Sequence, residues 1–156
     1  MKGNELKPRI GIFGRRNNGK SSMINCLTGQ EIAIVSEVPG ATTDPVRKTM
    51  ELGGIGPVVW IDTAGIDDVG GLGGMRVEKT MEELGQVDLA VLLLADNQLG
   101  EPEMHVADLC RKRGLAMVVV YAQSDRVPAD ELFLKDAEQT FFKAFSLHIC
   151  IYSFHL

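Results

Sequence analysis

The sequence has few cysteines, and their spacing excludes the usual cross-linked or metal-bound scaffolds. Cys26, Cys110 and Cys150 are the three cysteines of the 156 residues, and no two form a C-x-x-C pair. Three thiols cannot all pair within one chain, and each lies in an apolar neighbourhood. We therefore expect buried free thiols and not metal ligands.

The sequence also lacks any long apolar run. The longest unbroken ones, 89–95 and 115–122, are far too short to span a bilayer. The opening residues, MKGNELKPR, do not have the apolar core of a signal peptide. We therefore expect a cytoplasmic protein without a membrane partner.

Positive charge is scarce as well. Lysine and arginine number 16 against 21 aspartates and glutamates, which gives a formal net charge of -5. This balance provides no general electrostatic attraction to nucleic acid or to an anionic membrane. The dense basic groups are confined to Arg15-Arg16 and to residues 111–113. No nucleic-acid partner is expected.

What the chain does have is an alternation of strand-like and helix-like segments, with no repeat or linker. The runs VDLAVLLLA and LAMVVVY are apolar on both faces, as central parallel strands are. Residues 46–52 alternate between polar and apolar, which predicts an antiparallel edge hairpin. We expect a three-layer α/β fold on a mostly parallel six-stranded sheet with an antiparallel edge strand. Predicted strands are 9–14, 46–53, 57–62, 87–95, 115–121 and 148–153, and predicted helices are 19–28, 75–85, 101–113 and 129–144.

Two of the predicted helices carry further local signals. Pro102 suits the first turn of the third helix, and Asp130 suits the N-cap of the fourth. A stripe on the fourth helix, predicted to face the core, comprises Leu132, Phe133, Ala137 and Phe141.

The most informative stretch is the polar loop that follows the first strand. Residues 14–21, GRRNNGKS, fit G-x-x-x-x-G-K-S/T, in which glycines let successive N–H groups converge on phosphate oxygens. The chemistry needs Lys20 to reach the terminal phosphates and the Ser21 hydroxyl to bind magnesium. A helix beginning at Gly19 adds the positive end of its dipole. The alternative is an ordinary glycine-rich turn, but the strand before the loop and the helical stripe after it favour a phosphate site.

A second phosphate element follows the apolar strand VVWI. Asp62 ends this strand and Gly65 comes three residues later, which gives the pattern D-x-x-G. The carboxylate can hold magnesium through water, and the glycine lets its N–H approach a terminal phosphate. A polar stretch before this strand, 36–45, offers the hydroxyls of Thr42 and Thr43 to the magnesium shell. The alternative interpretation of that stretch is a surface connection.

Base selection is expected from the loop after the strand 115–121. GTP-binding proteins carry N-K-x-D there, whereas this chain has Ala122-Gln123-Ser124-Asp125. Asp125 can accept two hydrogen bonds from the guanine edge, which adenine cannot donate. Ala122 cannot make the contacts of the asparagine, a loss of about a factor of ten in affinity. A guanine preference is expected, but a weakened one.

Together GRRNNGKSS, VSEVPGATTDPV, IDTAGIDD and RVEKT resemble the GTPase domain of the FeFe-hydrogenase maturation factor family HydF. That family lies in the TrmE/Era-like branch of small GTP-binding proteins, and the likeness covers residues 6–126. It implies a P-loop NTPase fold of the Ras-like G-domain type. It also implies magnesium bound by Ser21, Thr42 and Asp62, and potassium at Asn17, for which a local turn bond is the alternative. The nucleotide-binding residues it implies are Gly14, Arg15, Arg16, Asn17, Asn18, Gly19, Lys20, Ser21, Ser22, Thr42, Thr43, Asp62, Gly65 and Asp125.

Catalytic residues are not evident from the sequence. The residue after the D-x-x-G glycine is Ile66, which cannot orient a water molecule as glutamine can. Lys20 and Thr42 are the groups expected to stabilise the transition state. Asp67 and Asp68 are nearby acids that we expect to be solvated. Slow intrinsic hydrolysis of GTP to GDP and phosphate is therefore predicted.

The same resemblance implies a longer protein with a dimerisation domain and a cluster-binding C-terminal domain. This chain has no matching cysteine and histidine pattern, so no iron–sulfur cluster is expected on it. We expect residues 1–156 to form a single GTP-binding domain, a C-terminally truncated fragment in which the closing helix is missing.

The leading hypothesis is a GTP/GDP switch for hydrogenase cluster maturation. The other maturation proteins and the hydrogenase would be its partners in the full-length protein, and a homodimer is compatible with the resemblance. The alternatives are an Era/TrmE-type GTPase for ribosome assembly or tRNA modification, and a non-catalytic nucleotide-sensing interaction module.

Overall fold

A computed structural model of the chain describes residues 7–29, 46–67, 73–145 and 149–151. Strands and helices alternate along these residues, as the sequence predicts. The strands are β1 Arg9–Gly14, β2 Val46–Leu52, β3 Gly56–Asp62, β4 Leu89–Leu94, β5 Ala116–Tyr121 and β6 Ile149–Ile151. The helices are α1 Lys20–Thr28, α2 Gly73–Leu84, α3 Glu101–Arg113 and α4 Glu131–Phe145.

The strands form one six-stranded sheet in the order β2-β3-β1-β4-β5-β6. Strands β3, β1, β4, β5 and β6 are parallel, and the edge strand β2 pairs antiparallel with β3. The turn between β2 and β3 contains Gly54 and Gly56 at φ values of 85° and 100°, a left-handed conformation that glycine adopts without strain. The predicted fold class, with its antiparallel edge, is confirmed.

Side chains alternate between the two faces of the sheet and build a core on each. On one face, α2, α3 and α4 cover Phe13 and Leu92. On the other, α1 packs Met23 and Ile24 against Ile12. Because β4 is apolar on both faces, it contributes to both cores, as the sequence predicts for a central parallel strand.

Local helix signals agree with the structure in most places. Pro102 lies in the first turn of α3, and the Asp130 carboxylate accepts a hydrogen bond from the Leu132 N–H at 3.1 Å, as an N-cap does. Leu132 itself is 75% exposed, so its assignment to the core stripe is wrong. It lies about 100° around the helix from Phe133, which packs against the core.

The cysteine prediction is right at one position and wrong at another. Cys110 is fully buried in α3, whereas Cys26 on α1 is exposed. The sheet-facing side of α1 is occupied by Met23 and Ile24, and Cys26 lies outside that stripe. The side chain of Cys150 lies outside what the structure describes. None of the helices in the described ranges has the length and apolar character needed to cross a membrane.

The buried thiol of Cys110 gives a prediction for alkaline stability. Burial raises its pKa to about 11 from the usual 9.0, because the thiolate is poorly solvated in the core. The stability that this group contributes is therefore intact below about pH 9 and is lost as the pH rises towards 11. Between about pH 8 and 10.5, the free energy of unfolding should fall further in the unaltered chain than in Cys110→Ala, by about 2 kcal/mol.

Urea unfolding of both proteins across this pH range checks the difference. Every other group that titrates there is common to the two proteins, and the small cavity left by Cys110→Ala shifts its curve equally at every pH. Parallel curves would contradict the prediction.

Candidate functional site

The predicted phosphate loop joins the central strand β1 to α1. Asn17 and Gly19 adopt left-handed φ values of 63° and 88°, which turn the chain sharply between strand and helix. A Cβ atom on Gly19 would lie 3.2 Å from Gln123 Nε2, and one on Gly14 would lie 3.1 Å from the Leu93 carbonyl oxygen. The loop therefore passes close to its neighbours at both glycines of the motif.

Lys20 is folded into this loop. Its Nζ donates to the carbonyl oxygens of Gly14 at 3.2 Å and Arg15 at 2.9 Å, and the residue is only 9% exposed. These carbonyl oxygens hold the positively charged ammonium group within the loop. This position suits contact with a terminal phosphate.

Parallel pairing brings Asp62 to the same edge. Ile12 is aligned with Asp62 across β1 and β3, and Ser21 Oγ donates to Asp62 Oδ2 at 2.5 Å. A hydroxyl and a carboxylate are the oxygen ligands that magnesium prefers, so the donor set fits that ion. No group of three histidine, cysteine or acidic side chains that could hold a metal occurs among the described residues. Magnesium at this point would thus need further oxygens, such as those of a phosphate.

The segment after Asp62 lies directly on the phosphate loop. The Ile66 N–H donates to the Gly14 carbonyl at 3.1 Å. A Cβ atom on Gly65 would approach the Arg16 backbone nitrogen to 3.0 Å, so any larger residue would crowd the loop at this point. Asp67, for which the sequence predicts a solvated position, is partly exposed, and its Oδ1 accepts a hydrogen bond from the Arg16 N–H at 2.7 Å.

An ion pair that the sequence did not reveal anchors the other side of the loop. Arg15 donates from Nε to Glu103 Oε1 at 2.5 Å and from Nη2 to Oε2 at 2.9 Å. Glu103 also accepts from the Gly100 N–H at 2.8 Å. The two side chains are 23% and 1% exposed. The hydrogen bond to Glu103 raises the pKa of Arg15, although burial lowers it. Because Glu103 lies in the first turn of α3, the ion pair ties the loop to the start of that helix.

The loop after β5 lies beside the phosphate loop and completes a pocket. Gln123 donates from Nε2 to the Asn17 carbonyl at 3.0 Å, and its Oε1 is buried without a hydrogen-bond partner among the described residues. A cavity of about 210 Å³ opens between the two loops, bordered by Asn18, Gly19, Ser22, Ala122, Gln123 and Asp125. The exposed thiol of Cys26 also borders it. Asp125 therefore lines a pocket that adjoins the phosphate loop.

A second acid that sequence reasoning missed is Glu83 on α2. Its Oε1 lies 3.5 Å from the Ala64 backbone nitrogen. Burial raises the pKa of Glu83, whereas the Ala64 N–H and the charge of Lys79 lower it. Asp67 and Asp68 are therefore not the only acids near the D-x-x-G segment, and Asp68 lies outside the described residues.

The structure brings most of the predicted site residues together. Residues 14–22, Asp62, Gly65 and Asp125 meet at the carboxyl edge of the sheet, where ligands bind in folds of this kind. Thr42 and Thr43 lie outside the described residues. Glu103 and Glu83 were not found from the sequence, because a single acid in a helix has no local pattern. Gln123 lies in the predicted base-selection segment, but its bond to Asn17 joins residues 106 positions apart and has no local signal.

Comparison with known sequences gives a consistent set of matches. Residues 9–123 match the sequence model of the family described as 50S ribosome-binding GTPase. The chain is 34% identical over 124 residues to the GTPase Der of Kosmotoga olearia, covering 75% of this chain and 28% of that protein. It is 36% identical over 121 residues to the tRNA modification GTPase MnmE of Nitrosospira multiformis, covering 74% of this chain and 26% of that protein. The chain thus spans little more than a quarter of these relatives.

Among solved structures, the chain is similar to Era in complex with MgGDPNP and nucleotides 1506–1542 of 16S ribosomal RNA. The TM-score is 0.73 at 19% sequence identity, covering 94% of this chain and 50% of Era. At this identity the likeness concerns the fold. It agrees with the α/β architecture described above.

The ion pair between the partly buried Arg15 and the buried Glu103 predicts a large loss of stability when one partner is removed. Arg15→Met leaves the Glu103 carboxylate buried without its cation, which should lower the free energy of unfolding by about 3 kcal/mol. The matched control is Arg111→Met, which breaks an exposed pair with Asp108 and should change stability little. Urea unfolding measures both.

A double variant tests whether the loss comes from the stranded charge. Adding Glu103→Gln to Arg15→Met should restore part of the lost stability, since an amide is less costly to bury than an unpaired carboxylate. Equal losses for Arg15→Met and Arg111→Met would contradict the prediction.

Proposed function

The chain belongs to the 50S ribosome-binding GTPase family, as a GTPase domain of the Era/Der/MnmE type, and on that premise we propose that it is a magnesium- and GTP-dependent switch. In this proposal the chain is a single domain that binds GTP and hydrolyses it slowly to GDP and phosphate. The observation that carries it is the convergence of Lys20, the Ser21–Asp62 pair and the Asp125 pocket at one sheet edge.

The proposed phosphate contacts come from the loop 14–22. Its backbone N–H groups and Lys20 would hold the phosphates, and Gly65 would bring its own N–H towards the terminal one. Ser21, Asp62 and Thr42 would hold magnesium, with Thr43 beside them. Bound magnesium supplies positive charge that neutralises the phosphate oxygens.

The proposed rate of GTP hydrolysis is slow because the residue after Gly65 has no side chain that could position a water molecule. The Ile66 side chain has no hydrogen-bonding group, so in this proposal Lys20 and Thr42 stabilise developing phosphate charge without an assigned general base. A potassium ion at Asn17 would add a further positive charge beside the phosphates. Binding is thus better supported than rapid turnover.

We propose hydrogenase cluster maturation as the process that this switch serves in the full-length protein. The support is the sequence context TTDPV and DTAGIDD, which resembles the HydF family. Its partners there would be other maturation proteins and the hydrogenase. A downstream coding sequence with a cysteine and histidine cluster would support this assignment, and a downstream RNA-binding domain would overturn it.

A second candidate is a GTPase that serves ribosome assembly or tRNA modification. It is favoured by the family description and by the names of Der and MnmE. The net charge of -5 opposes it, because RNA binding relies on a basic surface. A third candidate, a non-catalytic nucleotide sensor, is favoured by Ile66 and Ala122 and is separated from the first by GTP turnover.

Nucleotide titration tests the proposed base specificity. The chain with magnesium should bind GTP more tightly than ATP, since the Asp125 carboxylate accepts from the guanine N1–H and N2 amine. Asp125→Asn should weaken GTP binding at least about tenfold and favour XTP, whose C2 carbonyl can accept from the new amide. The matched control is Asp136→Asn, an exposed α4 acid outside the pocket.

The control should leave both affinities unchanged. Equal affinity for GTP and ATP would contradict guanine selection. Absence of any GTP turnover over hours, with GTP bound, would favour the sensor over the enzyme.

Potassium dependence tests the role of Asn17. Single-turnover GTP hydrolysis should be faster in potassium than in sodium at equal ionic strength, because the cation offsets charge developing on the phosphates. Asn17→Ala should remove that difference while retaining GDP binding. Equal rates in both salts for the unaltered chain would show that Asn17 only makes a turn.

A further inference from the structure

The carboxylate of Asp67 occupies one of the backbone donors of the phosphate loop. Its Oδ1 accepts from the Arg16 N–H at 2.7 Å, a distance at the short end that is typical of charge-assisted bonds. Arg16 is the third residue of the loop GRRNNGKS. The N–H groups of such a loop are the groups that phosphate oxygens use.

This donor lies against the D-x-x-G segment, whose glycine is proposed above to approach the terminal phosphate. Gly65, the proposed γ-phosphate sensor, approaches the same Arg16 nitrogen so closely that a Cβ atom there would lie 3.0 Å away. That Cβ would also be 3.2 Å from Asp67 Oδ1. These distances place three groups next to one another, namely the Arg16 N–H, the Gly65 backbone and the Asp67 carboxylate.

The Asp67 carboxylate also interacts with a nearby positive charge. The charge of Asp67 contributes to the raised pKa of Arg15, which places the carboxylate within the field of that guanidinium. The segment is also held by the Ile66 N–H bond to the Gly14 carbonyl at 3.1 Å. Removing Asp67 would therefore leave one bond of the segment to the loop in place.

We propose that Asp67 is a built-in competitor for the γ-phosphate and sets how strongly the site distinguishes triphosphate from diphosphate. The inference rests on the proposed nucleotide function of the loop. With a diphosphate, the carboxylate keeps the Arg16 N–H. A terminal phosphate brings a second oxyanion to the same donor, and like charges at this distance repel, so the carboxylate is displaced.

Displacement of the Asp67 carboxylate also makes the bonds between residues 62–67 and the loop depend on the number of phosphates that are bound. When Asp67 leaves Arg16, residues 62–67 lose one of their bonds to the loop, so triphosphate binding weakens the hold on this segment. Part of the triphosphate's binding free energy is then used to remove the carboxylate. Asp67 is in this sense a specificity-determining residue.

The test compares the affinities of GDP and the non-hydrolysable analogue GDPNP, each with magnesium, by calorimetric titration. Asp67→Ala should tighten GDPNP binding by about tenfold and leave GDP binding unchanged, since one charge-assisted hydrogen bond no longer has to be broken. Asp67→Asn keeps the shape and an acceptor oxygen but removes the charge, and it should tighten GDPNP by a smaller factor. Asp136→Ala removes an exposed α4 acid and should change neither affinity.

The outcomes separate this inference from the proposed function. If the unaltered chain binds neither nucleotide, both are overturned. If it binds both, the inference is overturned by an unchanged GDPNP-to-GDP affinity ratio in both Asp67 variants, or by weaker GDPNP binding in Asp67→Ala. The asparagine variant decides the matter should the alanine variant fail to fold.

Discussion

The parallel pairing of β1 with β3 and β4 is the constraint on which the site depends. Hydrogen bonds align Ile12 with Asp62 on one side and Gly14 with Leu93 on the other. The loop after β1 therefore has a neighbour on each flank. If β3 slipped by one residue, Asp62 would turn away from Ser21. If β1 slipped by one residue, Ile12 and Phe13 would exchange faces of the sheet. The same register thus fixes both the core packing and the positions of the polar groups at the sheet edge.

The phosphate loop is held in shape from outside. Arg15 bonds to Glu103 of α3, Asn18 Nδ2 donates to the Leu93 carbonyl at 3.1 Å, and Gln123 Nε2 donates to the Asn17 carbonyl. These bonds engage side chains and carbonyl oxygens of the loop and not its N–H groups, which are the groups a phosphate would use. Loop N–H groups that are already in position need little rearrangement when a phosphate approaches, so they stabilise its charge more strongly. Polar contacts that look purely structural thus also hold the loop in the shape that the proposed site requires.

The sequence predicts those parts of the molecule whose signals are short-range. The glycine spacing of 14–21 and the two-faced apolar strands lie within a few residues, so the loop, the strand positions and the edge hairpin agree with the structure. The burial of Glu103 depends on its pairing with Arg15, which is 88 residues away, so no local sequence pattern predicts that burial. The same holds for Asp67, which in isolation resembles any solvated surface acid. Leu132 was misassigned because a stripe one residue too wide still fits helical periodicity.

The site divides into a part made by backbone and a part made by single side chains. The proposed phosphate contacts of residues 14–21 depend on turn geometry, which tolerates diverse side chains between the glycines. Base selection and water positioning would depend on individual side chains. Asp125 remains as the proposed base reader, but Ala122 and Ile66 supply neither the second base contact nor a group that positions water. Asp67 belongs to neither part, because it acts through its charge on a backbone donor. Its proposed effect depends on the oxyanion that approaches and not on the base attached, so selection by phosphate number and selection by base are physically separable here.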